Sequence, residues 1–520
     1  MHMEIIYVMS PQSEAPLNFL VVVADQLTAT VLPALLGGRD PSVVKVPTLT
    51  ELAKNSTVFA NAYSASPLCG PSRNTLMTGL LPSVSGVYDN GCEWHSDIPT
   101  FGHRLRLAGY RTILAGKMHF VGADQLHGFE ERLTTDIYPA DFTWVPDWTD
   151  RQGRPDWYHS MDSVLNAGPV LRSNQLDFDE EVAFATRRKL YDLARTDTHR
   201  HPFCLVASFT HPHDPFNITP EWWNLYEETP IPLPRVTSPD PLHPAEVRIR
   251  EACGITAQPP KNADILKARR AYYGAISYID HQLKQLLNTL AATGLDKTTA
   301  IVFTSDHGEM LGEHGQWYKM SFREGACRVP LLIALPGQTT AHRLTQAVSL
   351  ADVGETLCAL AGAPAAPQTS GRDLSPCLFG GKLETDETFG EYLGEGTFAP
   401  TVMIRREQWK YVHTPTDPDQ LYDLQNDPDE TRNLADHPEH SQTLAAFTEE
   451  AQSRWDFDAL YQSVLTSQAR RMLVKQALAT GHCTPWDYQP PANAHRQYIR
   501  NHKPLEQLEA EARLPCSRNG

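Results

Sequence analysis

The chain has 520 residues, with 62 acidic against 45 basic side chains and a formal net charge of −17. At 41% hydrophobic and 21% charged it has the make-up of a folded protein too long for one ordinary core, so a large α/β domain with a smaller partner is expected. The acidic surplus argues against nucleic acid and anionic membranes, which both select basic proteins. No Lys or Arg precedes Arg39, so a secretory signal with its charged leader is not expected. The apolar run "LNFLVVVA" is too short to cross a bilayer. Nine cysteines are scattered without a C-x-x-C pair; reduced thiols in a cytoplasmic enzyme are expected, not a disulfide framework.

In chain order, residues 17–25 read as an apolar strand ending at Asp25. "TLTELAKNSTVFANAYS" gives a helix and then a strand, and "HRLRLAGYRTILAGK" repeats the device with Gly109 as the helix stop. Residues 130–185, rich in Trp, Asp and Pro, read as a loop-heavy insertion. Ile276, Ile279, Leu283, Leu286, Leu287 and Leu290 keep helical spacing up to Gly294, and "TTAIVFTSD" follows as a buried strand. Strands alternating with helices predict a mostly parallel, doubly wound sheet, whose functional groups gather at the carboxyl ends of its strands. Asp25 and Asp306 both stand at such ends. From about 386 the short strands, "TVMIRREQWKYVHT" among them, and a helix predict a small α+β subdomain. The expected divisions are 1–385, 386–465 and a C-terminal extension, 466–520.

Several residues carry chemistry. In "SPLCGPSRNTLMTGLLPS", Cys69 lies near a predicted helix N-terminus with Arg73 four residues on. That setting suits an activated thiol, although a cysteine taken by itself is more often buried and inert. Asp306 and His307 follow a strand directly and can ligate a divalent cation, or merely serve a turn. Lys117 and His119 in "AGKMHF" face the same way if the segment is extended. "FTHPHDPF" adds His213, with His211 beside it, and Lys319 follows Asp306 at short range.

Cys69, Pro71 and Arg73 form C-x-P-x-R, which resembles the sulfatase signature. Longer stretches, "GVYDN", "SDIPTFGHRLRLAGY", "GKMHFVGADQLHGFEERLTTDIYPADF" and "WDYQP", look like the choline-sulfatase branch of that family. The resemblance implies an alkaline-phosphatase-like fold: a mixed, mostly parallel sheet between helices. It implies hydrolysis of choline O-sulfate to choline and sulfate by a cysteine oxidised to formylglycine, which needs a formylglycine-generating enzyme as a partner. The hydrated aldehyde would attack sulfur and then expel sulfate through its second oxygen. Asp25, Asp306, His307 and the modified Cys69 would hold one divalent cation, calcium first, with magnesium or manganese as alternatives. Most members carry two successive aspartates where this chain has Asp25–Gln26, so Gln26 could offer only a neutral oxygen. Arg73 would steady the modified side chain, while Lys117 adds fixed positive charge. Lys319 and His213 would serve the leaving oxygen, and His119 would take the proton from the second diol oxygen. Trp144 would form an aromatic wall for the quaternary ammonium, Glu395 its counter-charge and Asn90 a positioning group near the sulfate. The tail, with Trp486, Tyr488 and Tyr498, implies a homo-oligomer, a tetramer, in which it reaches a neighbouring subunit. Two other readings stay open: a phosphonate or phosphate ester hydrolase (or one for other alkyl or aryl sulfates), and a non-catalytic binder of quaternary ammonium compounds with its cysteine unmodified.

Overall fold

The structure is a computed structural model and describes residues 16–39, 41–138, 141–150, 158–239, 241–482 and positions 486 and 507. Of the tail aromatics, Tyr488 and Tyr498 lie outside the described residues, as does most of the segment expected to reach a neighbour.

A nine-stranded sheet runs through the large domain. From one edge its strands are His342–Ser349, Thr57–Tyr63, Leu331–Ala334, Thr299–Thr304, Asn18–Ala24, Phe203–Phe209, Arg111–Gly116 and Glu131–Arg132, with Arg328–Val329 also on Thr57–Tyr63. Neighbours are parallel except where Leu331–Ala334 and Arg328–Val329 pair antiparallel. The mostly parallel architecture expected from the alternating pattern is what forms, and the antiparallel pairings make it the mixed sheet that the resemblance implied.

The central strand explains the layering. Leu20, Val22 and Ala24 enter one hydrophobic core, and Phe19, Val21 and Val23 enter another. Alternate side chains of an extended strand point to opposite faces, so an unbroken apolar run marks a strand covered on both sides. Each such Val or Leu contributes about 1.5–3 kcal/mol by burial. The helix Asn262–Thr293 covers one face and ends at Gly294, whose φ of 75° is the left-handed conformation that stops a helix. It packs against Asn174–Ala194, a 21-residue helix in the end of the segment expected to be mostly loop. That helix has many acidic and basic residues on its outer face, and Val182, Ala183, Leu190 and Leu193 are buried on its inner one. The loops before it dominate the composition of the segment, which is why the sequence hid it.

Residues Glu387–Tyr392, Thr401–Arg406, Trp409–His413 and Gln420–Asp423 form a separate four-stranded antiparallel sheet, backed by the helix Ser441–Arg454. The helix Phe457–Leu478 follows. Among the described residues no helix is long and apolar enough to cross a membrane.

Candidate active site

Register assembles the site. Ala24 pairs with Phe209 and Val23 with Thr304, so Asp25, Thr210 and Asp306 leave three adjacent strands at one level. Facing them, the helix Cys69–Thr78 begins with Cys69 itself, preceded by extended Leu68 and no side-chain cap. Its first N–H groups therefore lack a capping oxygen from Leu68, and Asn90 Oδ1 accepts from Gly70 N at 2.8 Å. A Cβ on Gly70 would lie 3.2 Å from both Asn90 Oδ1 and His119 Cδ2. Only a glycine leaves that approach relaxed.

Arg73, one turn on, is fully buried. Its Nε donates to Asp306 Oδ2 at 2.8 Å and its Nη2 to Asp25 Oδ2 at 3.1 Å. Nη1 donates to Lys117 O and Ser208 Oγ. Ser72 Oγ donates to the Asp306 carbonyl, which ties the helix to the opposite strand end. Lys117 Nζ lies 2.5 Å from Asp25 Oδ2 and 3.8 Å from Cys69 Sγ.

Asp25, Cys69, Asp306 and His307 each offer one ligand atom within 4.8 Å of the others, and all are buried. His307 Nε2 is 3.1 Å from Cys69 Sγ and 3.8 Å from a carboxylate oxygen of each aspartate. Its Nδ1 donates to Gly308 O at 3.1 Å, which leaves the Nε2 lone pair for the cluster. Burial opposes charge on Asp25, but Lys117, His213 and Arg73 outweigh it and hold this carboxyl well below its ordinary value. Burial likewise pushes the His307 pKa down and keeps the ring neutral. Asp25 Oδ1 is buried without a hydrogen-bond partner. Two ionised carboxylates, a neutral imidazole and an orphaned anionic oxygen suit a divalent cation.

Above this floor opens a cavity of about 890 Å³, its mouth included, lined by Cys69, Asn90, Lys117, His119, Trp144, His213, Lys319 and Glu395. The residues named for catalysis, metal and substrate thus meet in one site, Arg73 and the metal-capable cluster beneath and the rest around the walls, whereas His211 lies outside it with its Nδ1 on Asp179 Oδ2. The reason given for Lys117 and His119 does not hold. The strand ends at Gly116 and His119 has φ 64°, so the segment turns rather than extends. Asp136 Oδ2 accepts from the backbone N–H groups of Met118 and His119 and secures that turn. His119 Nε2 donates to Asn90 O at 2.8 Å, leaving Nδ1 basic. Burial first, and then Lys117, lowers its pKa to about 4, so it is unprotonated at neutral pH.

His213 Nδ1 donates to Asp214 O at 2.5 Å, and its Nε2 accepts from Lys319 Nζ at 2.9 Å. Gln26 departs from its expected place. Its Oε1 accepts from Lys319 Nζ at 2.5 Å, its Nε2 donates to Glu309 and Asp214, and only its backbone N–H meets the cluster, at Asp306 Oδ1. Glu395 is buried beside Asn90, whose Nδ2 donates to its Oε1 at 3.5 Å; its Oε2 is unpartnered, and burial with nearby Asp89 raises its pKa to about 8. Trp144 is half-buried, its ring centroid 5.4 Å from that of His119 and 6.4 Å from that of Tyr138.

Sequence reasoning missed Tyr138, Tyr158, His159 and Asp214, which also line the cavity. His159 stacks on Tyr318 at 4.4 Å and lies 3.4 Å from Asp214. Asp214 stood in the quoted "FTHPHDPF", so adjacency to His213 was the available signal. The others sit in loops whose direction no periodicity reveals.

The family described as Sulfatase matches residues 17–363. The chain belongs to the sulfatase family. As a sulfatase it is a sulfuric ester hydrolase, and the family works with a metal ion and formylglycine. The region described as "Choline sulfatase enzyme C terminal" matches residues 462–514. A choline-sulfatase of Rhizobium meliloti (strain 1021) is 45% identical over 509 residues, 96% of this chain and 98% of that protein. Iduronate 2-sulfatase of Homo sapiens is 30% identical, covering 66% of this sulfatase and 62% of the human protein. Among solved structures, a phosphonate monoester hydrolase of Agrobacterium radiobacter superposes with a TM-score of 0.68 at 24% identity, covering 86% of this chain and 96% of its own. The last likeness speaks to the fold, which is the alkaline-phosphatase-like one the resemblance implied.

Proposed function

We propose that this sulfatase hydrolyses choline O-sulfate to choline and inorganic sulfate. One observation carries the reading: a single cavity joins a floor built for an anion (Lys117, Lys319 and the metal-capable cluster) to a wall built for a cation without N–H groups (Trp144 and Glu395, whose Oε2 is unpartnered). The near full-length likeness to a choline-sulfatase supports it.

Asp25, Asp306, His307 and the position-69 side chain would hold the cation, which would supply Lewis-acid polarisation of the sulfate oxygens. The hard oxygen donors favour calcium, with magnesium or manganese as the alternatives. As formylglycine, made by a formylglycine-generating enzyme, position 69 would supply a hydrated aldehyde with one oxygen to bond sulfur and a second through which sulfate leaves. Arg73 keeps both carboxylates aimed and balances their charge. Lys117 presents its ammonium beside position 69, where negative charge accumulates. Lys319 spends one N–H on Gln26 and one on His213, leaving a third for the departing oxygen. His213 Nε2 accepts from Lys319 Nζ and so holds the ammonium in place for that donation. Neutral His119 is the base that removes the proton of the second oxygen. Asn90 holds the helix N-terminus and faces the sulfate end of the cavity.

The chain divisions 1–385, 386–465 and 466–520, with the tail joining copies into a tetramer, complete the proposal. Cys69, Cys92, Cys204, Cys327, Cys358 and Cys377 are free and buried, which supports a cytoplasmic, reducing setting. The test is Cys69→Ser, compared with wild type on choline O-sulfate. The folded variant is expected to release no more than one choline per site, because a serine sulfate ester lacks the second oxygen. Wild-type turnover by that variant overturns the reading.

A further inference from the structure

Two buried residues outside the cavity hold one of its walls. Gln175 and Asp179 stand one turn apart on the helix Asn174–Ala194, and so on one face of it. Asp179 Oδ1 accepts from Thr210 N at 2.7 Å. Its Oδ2 accepts from His211 N at 2.9 Å and from His211 Nδ1 at 2.7 Å. Gln175 Nε2 donates to the carbonyls of His213 at 3.0 Å and Asp214 at 2.7 Å, and to Tyr138 Oη at 3.2 Å. Asp179 is fully buried and Gln175 is 2% exposed. Neither lines the cavity.

Between them they fasten the backbone at Thr210, His211, His213 and Asp214, the segment that leaves the strand Phe203–Phe209. That segment has no regular structure of its own up to Asn217. Its backbone groups would otherwise look to water or remain unpaired, so the helix supplies what a sheet neighbour cannot. The Asp214 carbonyl then receives His213 Nδ1–H, which turns Nε2 toward Lys319.

We propose that Asp179, assisted by Gln175, is a positioning residue for proton delivery to the leaving oxygen. Its carboxylate fixes the 210–214 segment, the segment fixes the His213 ring, and the ring fixes Lys319. The inference rests on the reading that His213 and Lys319 serve the leaving group. Its signature is therefore dependence on that group. An alkoxide such as choline's must be protonated as it departs, whereas 4-nitrophenolate leaves without help.

The experiment compares Asp179→Asn, Gln175→Leu and His213→Ala in the full-length enzyme, each normalised to its formylglycine content by peptide mass. Asp179→Asn keeps the shape but loses the charge that gathers three donors. Turnover is read on choline O-sulfate, on 4-nitrophenyl sulfate and across aryl sulfates of graded leaving-group pKa. His213→Ala is expected to lower kcat on choline O-sulfate by about 10²–10⁴-fold. Asp179→Asn should lower it by about 10²-fold, the effect of misplacing a catalytic group by an ångström. Both should be nearly unchanged on 4-nitrophenyl sulfate, steepening the leaving-group slope, with KM for choline O-sulfate little altered. Gln175→Leu should move the slope the same way by less, and it decides the matter should Asp179→Asn fail to fold. Equal losses on all substrates in both helix variants, or no loss in either, overturn the clamp while His213→Ala still discriminates. A His213→Ala variant that does not discriminate overturns the leaving-group reading and the clamp together.

Discussion

Glu395 illustrates how much a single side chain can set. Burial beside Asp89 holds its pKa at about 8, so in the free enzyme it is mostly protonated below that pH. A quaternary ammonium binds the ionised form better, so substrate affinity is present above the raised pKa and weakens as pH falls through it. KM for choline O-sulfate is expected to fall as pH rises through about 8, while KM for an aryl sulfate without a cationic group stays level. Parallel profiles for the two substrates would remove Glu395 from the ammonium site. Trp144→Ala should likewise raise KM for choline O-sulfate more than for the aryl ester, a difference read directly from steady-state kinetics. The sequence singled out both residues through the family resemblance. It could not reveal that Glu395 Oε2 is unpartnered, because that depends on loops hundreds of residues apart.

At the scale of elements, the helix Cys69–Thr78 matters as a buried object. All ten of its residues are buried, Arg73 included. Arg73→Met is expected to cost about 3–5 kcal/mol, since it strands Asp25 and Asp306 without their cation. Urea denaturation of the metal-stripped protein measures it, and loss below 1 kcal/mol on the same scale would mean Lys117 alone balances both carboxylates. Gly70→Ala should leave unfolding nearly unchanged yet lower kcat, because the added methyl presses on Asn90 and His119. Strand and helix identities in this region follow from apolar runs and glycine stops, and they were legible. The turn at Met118–His119 was not, since the positive φ of His119 is imposed by Asp136 from another loop.

Over the whole molecule, the four-stranded sheet is locked to the large domain by buried charge. Lys410 Nζ lies 2.8 Å from Glu324 Oε1 and 2.7 Å from Glu430 Oε1, and donates to Phe322 O at 2.7 Å. Arg323 pairs with Glu246 and lies over the Tyr422 ring at 4.9 Å. Removing one partner of such a network leaves uncompensated charge, so Lys410→Met should destabilise the protein by about 3–5 kcal/mol. A single cooperative unfolding transition at a lower midpoint is the expected result, and an unchanged midpoint would exclude the network as a tie. Removing divalent metal should abolish turnover reversibly and lower Tm, because an ion bound only by the folded state stabilises it.

The sequence by itself determined the layered sheet, the helix that begins at Cys69 and the family. Those features are local: a run of apolar residues buries on both faces wherever it lies, and C-x-P-x-R reads the same in any context. Tertiary structure alone decided that Gln26 serves Lys319, that His119 turns, and that a distant helix grips the His213 segment. Those outcomes depend on which backbone groups lack partners once the strands are in register. That is a property of neighbours in space, and neighbours along the chain do not encode it.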